Sequence, residues 1–270
     1  TEGNSETAKA IGLKRAKGNI ICILASDNYL NDNEFFEKCI KALESPPSGV
    51  CLGCDPSLNV GAYPYRYWYY PQDNILNRYF ALFGVNDPIP LYLNKNDREP
   101  HYKCEQKYPF PTHTSFKVDK ALTFGDNGFF IRKEDLLKAD IEHYFHIDVI
   151  EDLIKLGHKR FGKVSTTIWH RTGGNIFKFF LKRFKYADKF SEGRRWHMVE
   201  REDLPKLLWF IFCTLTLIQP LYLSVKGYRV IKDIAWFLHL PICLITLGVY
   251  GLWITRKFLS SSARLIALKA

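Results

Sequence analysis

Charged residues are missing from two long stretches near the C-terminus. Residues 207–225 and residues 234–255 contain no Asp, Glu, Lys or Arg. A helix rises about 1.5 Å per residue, so either stretch is long enough to cross the ~30 Å hydrocarbon core of a bilayer. We therefore predict two transmembrane helices over residues 204–257, arranged as a hairpin with both ends on one side. Pro220 and Pro241 would kink such helices, and a re-entrant arrangement is the alternative.

A second cysteine pair and a signal peptide are also missing. The chain has seven cysteines, and Cys51 and Cys54 form a CxxC with no further pair at zinc-site spacing. This absence argues against a four-cysteine zinc site and favours reduced thiols in a cytosolic domain. No signal peptide precedes the first predicted strand, and the sequence starts at Thr1, so we expect it to begin inside a domain.

Acidic residues are few compared with basic ones. The chain has 28 Asp and Glu against 38 Lys and Arg, for a formal net charge of +10. Basic residues that flank membrane spans mark the cytoplasmic side and attract anionic headgroups. Because the basic residues flank the apolar stretches, we expect membrane lipids as their partner and no nucleic acid. They are Lys178, Lys182, Arg183, Lys185, Lys189, Arg194, Arg195, Arg201, Lys206, Arg256, Lys257, Arg264 and Lys269.

The chain before residue 204 has the pattern of a water-soluble, mixed α/β domain. Residues 19–24 form a short apolar run that is typical of a buried strand. Ser26, Asp27 and Asn28 follow this run directly. Open α/β sheets bind their ligands at the carboxyl ends of strands, so these three side chains are candidate site residues.

Two later segments have the same character. Residues 129–132 and residues 164–169 are predicted strands, and His170 follows the second one. A helix is predicted over residues 145–156, and it carries a cluster of carboxylates. These are Asp148, Glu151 and Asp152.

Two further segments are rich in aromatic residues. Residues 61–120 also contain several prolines, and we predict a packed irregular insertion. The alternative is an acceptor-binding surface, because aromatic rings stack on sugars and lipids. Residues 176–190 are predicted to form an amphipathic helix that lies in the membrane interface, with apolar residues on one face and lysines on another. Its apolar residues are Phe177, Phe180, Leu181 and Phe184.

Three segments in this order resemble family 2 glycosyltransferases of the GT-A fold. They are the strand that ends in Ser26-Asp27-Asn28, the sequence Gly-Asp-Asn-Gly-Phe-Phe-Ile-Arg at residues 125–132 with the acidic cluster after it, and the strand that ends in Trp169-His170. Ala-Lys-Gly-Asn-Ile-Ile-Cys-Ile-Leu at residues 16–24 is similar to the lead into that family's DxD motif. The resemblance covers about residues 3–190.

The resemblance implies an α/β fold with four parts. Residues 1–175 would be a partial, Rossmann-like GT-A domain whose N-terminal nucleotide-binding strands are missing. Residues 176–203 would be a basic amphipathic interface helix and linker. Residues 204–257 would form the transmembrane hairpin, and residues 258–270 a basic cytoplasmic tail.

The resemblance also implies a divalent metal site. Asp27 matches the metal-binding aspartate of DxD, and His170 matches a late histidine ligand. Mg²⁺ or Mn²⁺ is expected, because hard cations bind carboxylate oxygen and imidazole suits Mn²⁺. The ion would offset charge on the diphosphate of a nucleotide-sugar donor. The chain departs from the motif at Ala25, where the family often has an aspartate that contacts the donor ribose or sugar.

Inverting sugar transfer needs a general base for the acceptor hydroxyl. We expect Asp148 in this role, with Glu151 and Asp152 as alternatives. In the family, the base lies at a set spacing before the glycine that ends its helix. Counted back from Gly157, this spacing reaches His146, which is not an acid, so it does not choose among the three carboxylates. The resemblance further implies donor- or acceptor-binding roles for Ser26, Asn28, Asp126, Asn127 and Arg132, although Arg132 is equally suited to a structural role.

The expected function is transfer of a sugar from a nucleotide-sugar donor to a lipid-linked or cell-envelope polysaccharide acceptor at the cytosolic membrane face. One alternative is a catalytically degenerate, membrane-anchored scaffold of the transferase fold, which Ala25 and the missing first strands favour. A second alternative is a different metal-dependent transferase that acts on nucleotide-activated substrates.

Overall fold

The computed structural model describes residues 5–44, 58–103, 112–172, 174–191 and 197–267. Within these ranges the chain forms the mixed α/β fold that the sequence predicts, around a mixed sheet. The strands are β1 (Ile20–Ile23), β2 (Asn28–Leu30), β3 (Gly61–Tyr67), β4 (His113–Lys117), β5 (Phe129–Arg132) and β6 (Arg160–His170). The helices are α1 (Ser5–Arg15), α2 (Phe35–Glu44), α3 (Ile75–Phe83), α4 (Pro88–Leu93), α5 (Lys133–Leu136), α6 (His146–Lys155), α7 (Ile176–Ser191), α8 (Leu204–Thr216), α9 (Ile218–Val230) and α10 (His239–Ala267). Short 3₁₀ helices lie at His101–Lys103, Arg201–Asp203 and Ile234–Leu238.

The sheet has the order β1-β5-β3-β6-β2, and β4 also pairs with β6. β3 and β6 run parallel, whereas the other described pairs are antiparallel. β2 and β4 share one edge of the long strand β6, with β4 along its first half and β2 along its last three residues. The carboxyl ends of β1 and β6 therefore come close together through β2.

Helices cover both faces of the sheet. Phe35 and Cys39 of α2 are fully buried in a cluster with Phe130 and Ile168. On the opposite face, alternate strand residues join a core with α6, which includes Ile21, Ile23, Phe129, Ile131, Ile150 and Leu153. Because successive strand side chains point to opposite faces, a sheet that is covered on both sides needs continuous apolar runs such as that of β1.

The described part of the aromatic segment at residues 61–120 is regular, so the prediction of an irregular insertion is wrong there. It contains the central strand β3, whose seven residues are all buried, and the helices α3 and α4. β3 shows no apolar–polar alternation, because both of its faces are covered. Pro64 lies within it, at a shift in the register with β6. The apolar residues 50–53 also predict a short strand, and they lie outside the described residues.

The first charge-free stretch does not form one straight helix. α8 and α9 meet at Leu217 with an 80° change of direction, and Leu217 has a left-handed backbone (φ 62°). Pro220 and Pro241 do not kink helices as the sequence suggests. Each lies in the first turn of its helix, where backbone N–H groups have no partner inside the helix. Among the described residues, one continuous segment, Ile234–Leu259, is long and apolar enough to cross a membrane.

The C-terminal helices share a hydrophobic core with α3 and α4. Phe83 of α3 and Tyr92 of α4 pack in one cluster with Phe210 of α8, Trp236 and Ile242. Phe180 of α7 joins the same cluster. The helix predicted at residues 176–190 is present as α7, and part of its apolar face packs inside the protein.

Candidate functional site

A tight turn at the end of β1 presents Asp27. The Asn28 N–H donates to the Ala25 carbonyl (3.1 Å), and the Ala25 N–H donates to Asn28 Oδ1 (3.1 Å). The Arg171 N–H donates to the Asp27 carbonyl (2.9 Å). These bonds fix the Asp27 backbone against the end of β6.

Asp27 and His170 are neighbours. Asp27 Oδ2 lies 3.2 Å from His170 Nε2, and Asn28 is directly opposite His170 in the β2–β6 pairing. The His170 side chain is 7% exposed and that of Asp27 is 40% exposed, so the pair has a buried side and a side open to solvent. Two adjacent ligands of an octahedral ion at about 2.1 Å are about 3 Å apart. The distance is that of a direct ion pair or hydrogen bond, and it also equals the spacing of two neighbouring ligands of a hard divalent cation.

A buried group of residues supports His170 from behind. The Tyr67 ring lies 5.4 Å from the His170 ring, and Asn127 Nδ2 donates to the Tyr67 hydroxyl (3.4 Å). The fully buried Arg98 donates to the Asn127 carbonyl (2.8 Å) and lies over the ring of Tyr67. Burial raises the pKa of Tyr67, so its hydroxyl stays protonated at neutral pH. Sequence analysis missed Arg98, which no local pattern singles out.

The loop from Gly125 to Gly128 adjoins the end of β1. The Gly128 N–H donates to the Ile23 carbonyl (2.8 Å). Gly125 and Gly128 have φ values of 112° and 85°, which favour glycine. A Cβ atom on Gly125 would lie 2.8 Å from the His146 carbonyl oxygen. These glycines therefore let the loop pack closely against other parts of the protein. At Gly125 the neighbour is the first turn of α6.

Asp126 belongs to a partly buried ion network with α1 and α6. Lys9 Nζ lies 2.7 Å from Asp126 Oδ2 and 3.1 Å from Glu6 Oε1. Glu6 also accepts from the backbone N–H of His146 (3.3 Å), and His146 Nδ1 lies 3.5 Å away. Burial alone raises the pKa of Glu6, but His146 and Lys9 outweigh it and lower that pKa to about 2. Burial lowers the pKa of Lys9, while Asp126 and Glu6 raise it to a net value above normal.

Glu6, Asp126 and His146 offer three ligand atoms close enough for one metal ion. The Lys9 ammonium already lies between the two carboxylates, however, and supplies the positive charge that a metal would supply. We therefore interpret this network as structural. The sequence did not reveal it, because its members come from three distant segments.

The acidic residues of α6 have different surroundings. Asp148 lies in the first turn and is fully buried. The Glu151 carboxylate accepts from the Ala121 N–H (3.1 Å), and the Asp152 carboxylate accepts from the Asp140 N–H (3.3 Å). Of the three, Asp148 lies in the first turn of α6, and the His146 carbonyl of that turn packs against Gly125.

The other candidate site residues are divided between two ends of the sheet. Ser26 is exposed beside Asp27, and Asn28 holds the turn. Arg132 lies at the opposite end of β5, paired with Ile20. Its guanidinium donates to the carbonyls of Leu43 and Asn59. Arg132 therefore lies away from Asp27 and binds backbone carbonyls. This agrees with a structural role, one of the two roles that we predicted for it.

An exposed aromatic and cationic patch adjoins the pair. The Trp169 ring packs on Tyr29 and Tyr70, and the Arg171 guanidinium lies over Trp169 at 5.0 Å. Asp73 accepts from the Trp169 indole N–H (2.9 Å) and fixes the ring. Arg171 was not predicted, although its place directly after His170 in the sequence was a usable signal.

Comparisons of this chain with known protein-family models, with characterised proteins and with solved structures find no match.

Proposed function

We propose that this chain is a metal-dependent glycosyltransferase of the GT-A type that acts at a membrane surface. The observation that carries the proposal is the contact between Asp27 and His170, which joins a carboxylate and an imidazole at two strand ends. Such a pair suits a divalent cation, and a partly open site leaves coordination positions for a substrate.

The donor in this proposal is a nucleotide sugar. Asp27 and His170 would hold Mg²⁺ or Mn²⁺, which when bound neutralises charge on the leaving diphosphate. Arg171 lies next to the pair, and its guanidinium is oriented by stacking on Trp169 and by an ion pair between Nε and Asp73 (3.9 Å). Ser26 and Asn127 are the nearby polar residues that we assign to the sugar or the ribose.

Asp148 is our candidate for the general base that removes the acceptor proton during a direct, inverting displacement. Its burial excludes bulk water, and an acceptor hydroxyl reaches it only when the residues that cover it move. Glu151 and Asp152 bond to backbone N–H groups, which favours structural roles for them.

The acceptor in this proposal is a lipid-linked or envelope glycan at the cytosolic membrane face. Ile234–Leu259 supplies one candidate span. Phe177 and Leu181, one turn apart on α7, expose their side chains and can enter the interface. The basic residues that precede α8, on the same side as the sheet, favour the cytosolic face for the sheet and membrane lipids as partners.

The direct test measures release of nucleoside diphosphate from a panel of nucleotide sugars by the chain in liposomes with Mn²⁺. Asp27→Asn and His170→Gln should each lower the rate about 100-fold or more. Each removes a ligand of the metal ion, and the bound ion supplies several kcal/mol of transition-state stabilisation. His143→Gln is the matched control, because His143 forms an exposed pair with Asp140 (3.0 Å). No release from any donor by the folded chain, or equal rates in all variants, would contradict the proposal and favour the scaffold alternative.

Asp148→Asn tests the assignment of the base separately. This variant should lower kcat for sugar transfer by about 10²- to 10⁴-fold and leave Mn²⁺ binding unchanged, because a base contributes to proton removal alone. Unchanged kcat would exclude Asp148 from this role. Glu151→Gln is the comparison for its neighbour on the same helix.

A further inference from the structure

The bend between α8 and α9 forms an apolar tip. Leu215 and Ile218, on either side of Leu217, are 65% and 69% exposed. The rings of Trp209 and Phe212, one turn apart on α8, stack on each other, and both side chains are exposed. Contiguous exposed apolar surface of this kind marks a contact with lipid or with another protein.

The start of α8 is attached to the segment that contains α4. Lys206 Nζ donates to the Leu93 carbonyl (3.3 Å), and the rings of Phe210 and Tyr92 are 4.8 Å apart. Just before α8, Asp203 forms a buried ion pair with Lys95 (2.6 Å).

The end of α9 returns to the same segment. Lys226 lies over the ring of Tyr102, which follows α4 in sequence. Beyond α9, Asp233 accepts from the Tyr69 hydroxyl (2.5 Å) and pairs with Arg78 Nε (2.9 Å). Both ends of the bent pair are therefore fixed to residues 69–102, on the side of the sheet, whereas a complete crossing would place them on opposite sides of a bilayer.

The lengths of the two helices agree with partial insertion. Each has 13 residues, which is about 20 Å of helix. A symmetrical V with an 80° change of direction then reaches about 13 Å below its ends, close to the ~15 Å thickness of one hydrocarbon leaflet. Basic residues stand near both ends of the V and suit anionic headgroups: Arg201, Lys206, Lys226 and Arg229.

We infer that α8 and α9 form a re-entrant wedge that enters one leaflet of the bilayer and returns, so that α10 is the one crossing among the described helices. The occupant of the exposed apolar face is lipid. The absence of charge throughout residues 207–225 favours hydrocarbon over a polar protein partner, and the basic residues near both ends of the wedge meet the headgroups. The inference does not depend on sugar transfer.

The test maps cysteine accessibility in the full chain, reconstituted in sealed anionic liposomes with the sheet facing outward. Three single substitutions are compared: Lys41→Cys on the exposed face of α2, Ile218→Cys at the tip, and Arg229→Cys near the end of α9. Lys41→Cys confirms the outward orientation. The unsubstituted chain gives the background from the natural cysteines. The probe is a membrane-impermeant maleimide, added before or after detergent.

We expect Lys41→Cys and Arg229→Cys to react in intact liposomes, and Ile218→Cys to react after detergent alone. Protection of Arg229→Cys in intact liposomes together with reaction of Lys41→Cys would mean that the pair is a full crossing, which would overturn the inference. Reaction of Ile218→Cys in intact liposomes would place the tip in water and overturn it as well.

A second measurement identifies what covers the tip. A nitroxide attached at Ile218→Cys should be relaxed more by oxygen than by a water-soluble nickel complex, as expected for about 10–15 Å of depth in hydrocarbon. Cross-linking of Ile218→Cys between two chains without this depth signal would assign the surface to a second copy and contradict insertion.

Discussion

At the residue scale, Lys9 determines the character of the cluster beside the candidate site. Its ammonium lies between Glu6 and Asp126, and all three side chains are largely buried. Two carboxylates in such a place need a cation, and a lysine from α1 supplies it without any ion from solution. This leaves Asp27 and His170 as the pair that we assign to a metal.

Lys9→Met should lower the free energy of unfolding by about 1–3 kcal/mol, because it leaves two partly buried carboxylates close together without their cation. The measurement is urea unfolding at pH 7. Lys41→Met is the matched control, since Lys41 forms a solvent-exposed pair with Glu37 (2.6 Å) and should change stability by less than about 0.5 kcal/mol. Equal effects of the two substitutions would contradict the assigned role.

The network also predicts a dependence of stability on pH. The pKa of Glu6 falls from 4.5 to about 2 on folding, so its contribution is complete above pH 4.5 and is lost as the pH falls towards 2. Between pH 7 and pH 3 this single group should account for about 2 kcal/mol of lost stability. Unfolding of Glu6→Gln at both pH values should show a correspondingly smaller loss, whereas Glu37→Gln should behave like the unsubstituted chain.

At the element scale, the sequence predicted those strands and helices whose apolar residues recur with the period of the element. β1, β5, α6 and α7 lie where the apolar runs and helical periodicity placed them. β3 was missed because it is buried on both faces and contains Pro64, so it lacks the alternation of a half-covered strand. The position of the bend at Leu217 was missed, because leucine has no preference for a left-handed backbone.

Gly227 provides a test of how α9 is held. A Cβ atom at this position would overlap the Trp236 ring, so Gly227→Ala should separate α9 from the 3₁₀ helix Ile234–Leu238. We expect a loss of about 1–3 kcal/mol, measured by thermal unfolding in detergent. Gly248→Ala is the matched control. A methyl group there meets no atom within 4 Å, and alanine favours a helix. Equal stability of both variants would exclude this packing.

At the scale of the whole molecule, the C-terminal helices are part of the fold. Trp236 and His239 are fully buried against α3 and α4, and His239 Nδ1 lies 3.0 Å from the Tyr79 hydroxyl. The sequence suggested a water-soluble domain joined to a separate anchor, because hydropathy describes each stretch alone and not what it packs against. The proximity of Asp27 and His170, by contrast, was inferred from motif order, and the structure brings these two residues together.

The shared core predicts the outcome of truncation. A chain that ends at residue 203 should lose cooperative thermal unfolding and bind a hydrophobic dye, because Phe83 and Tyr92 lose the partners that bury them. A chain that ends at residue 259 keeps those partners and is the control. A soluble, cooperatively folded product ending at residue 203 would show that α3 and α4 do not need the C-terminal helices.

Pulsed electron paramagnetic resonance of Mn²⁺ bound to the full chain tests the central claim most directly. The account predicts one bound Mn²⁺ with nitrogen coupling from a directly bound imidazole. His170→Gln should abolish the coupling, Asp27→Asn should weaken binding, and His143→Gln should change neither. A coupling that survives His170→Gln but disappears in His146→Gln would place the ion in the Glu6–Asp126 cluster and contradict the account.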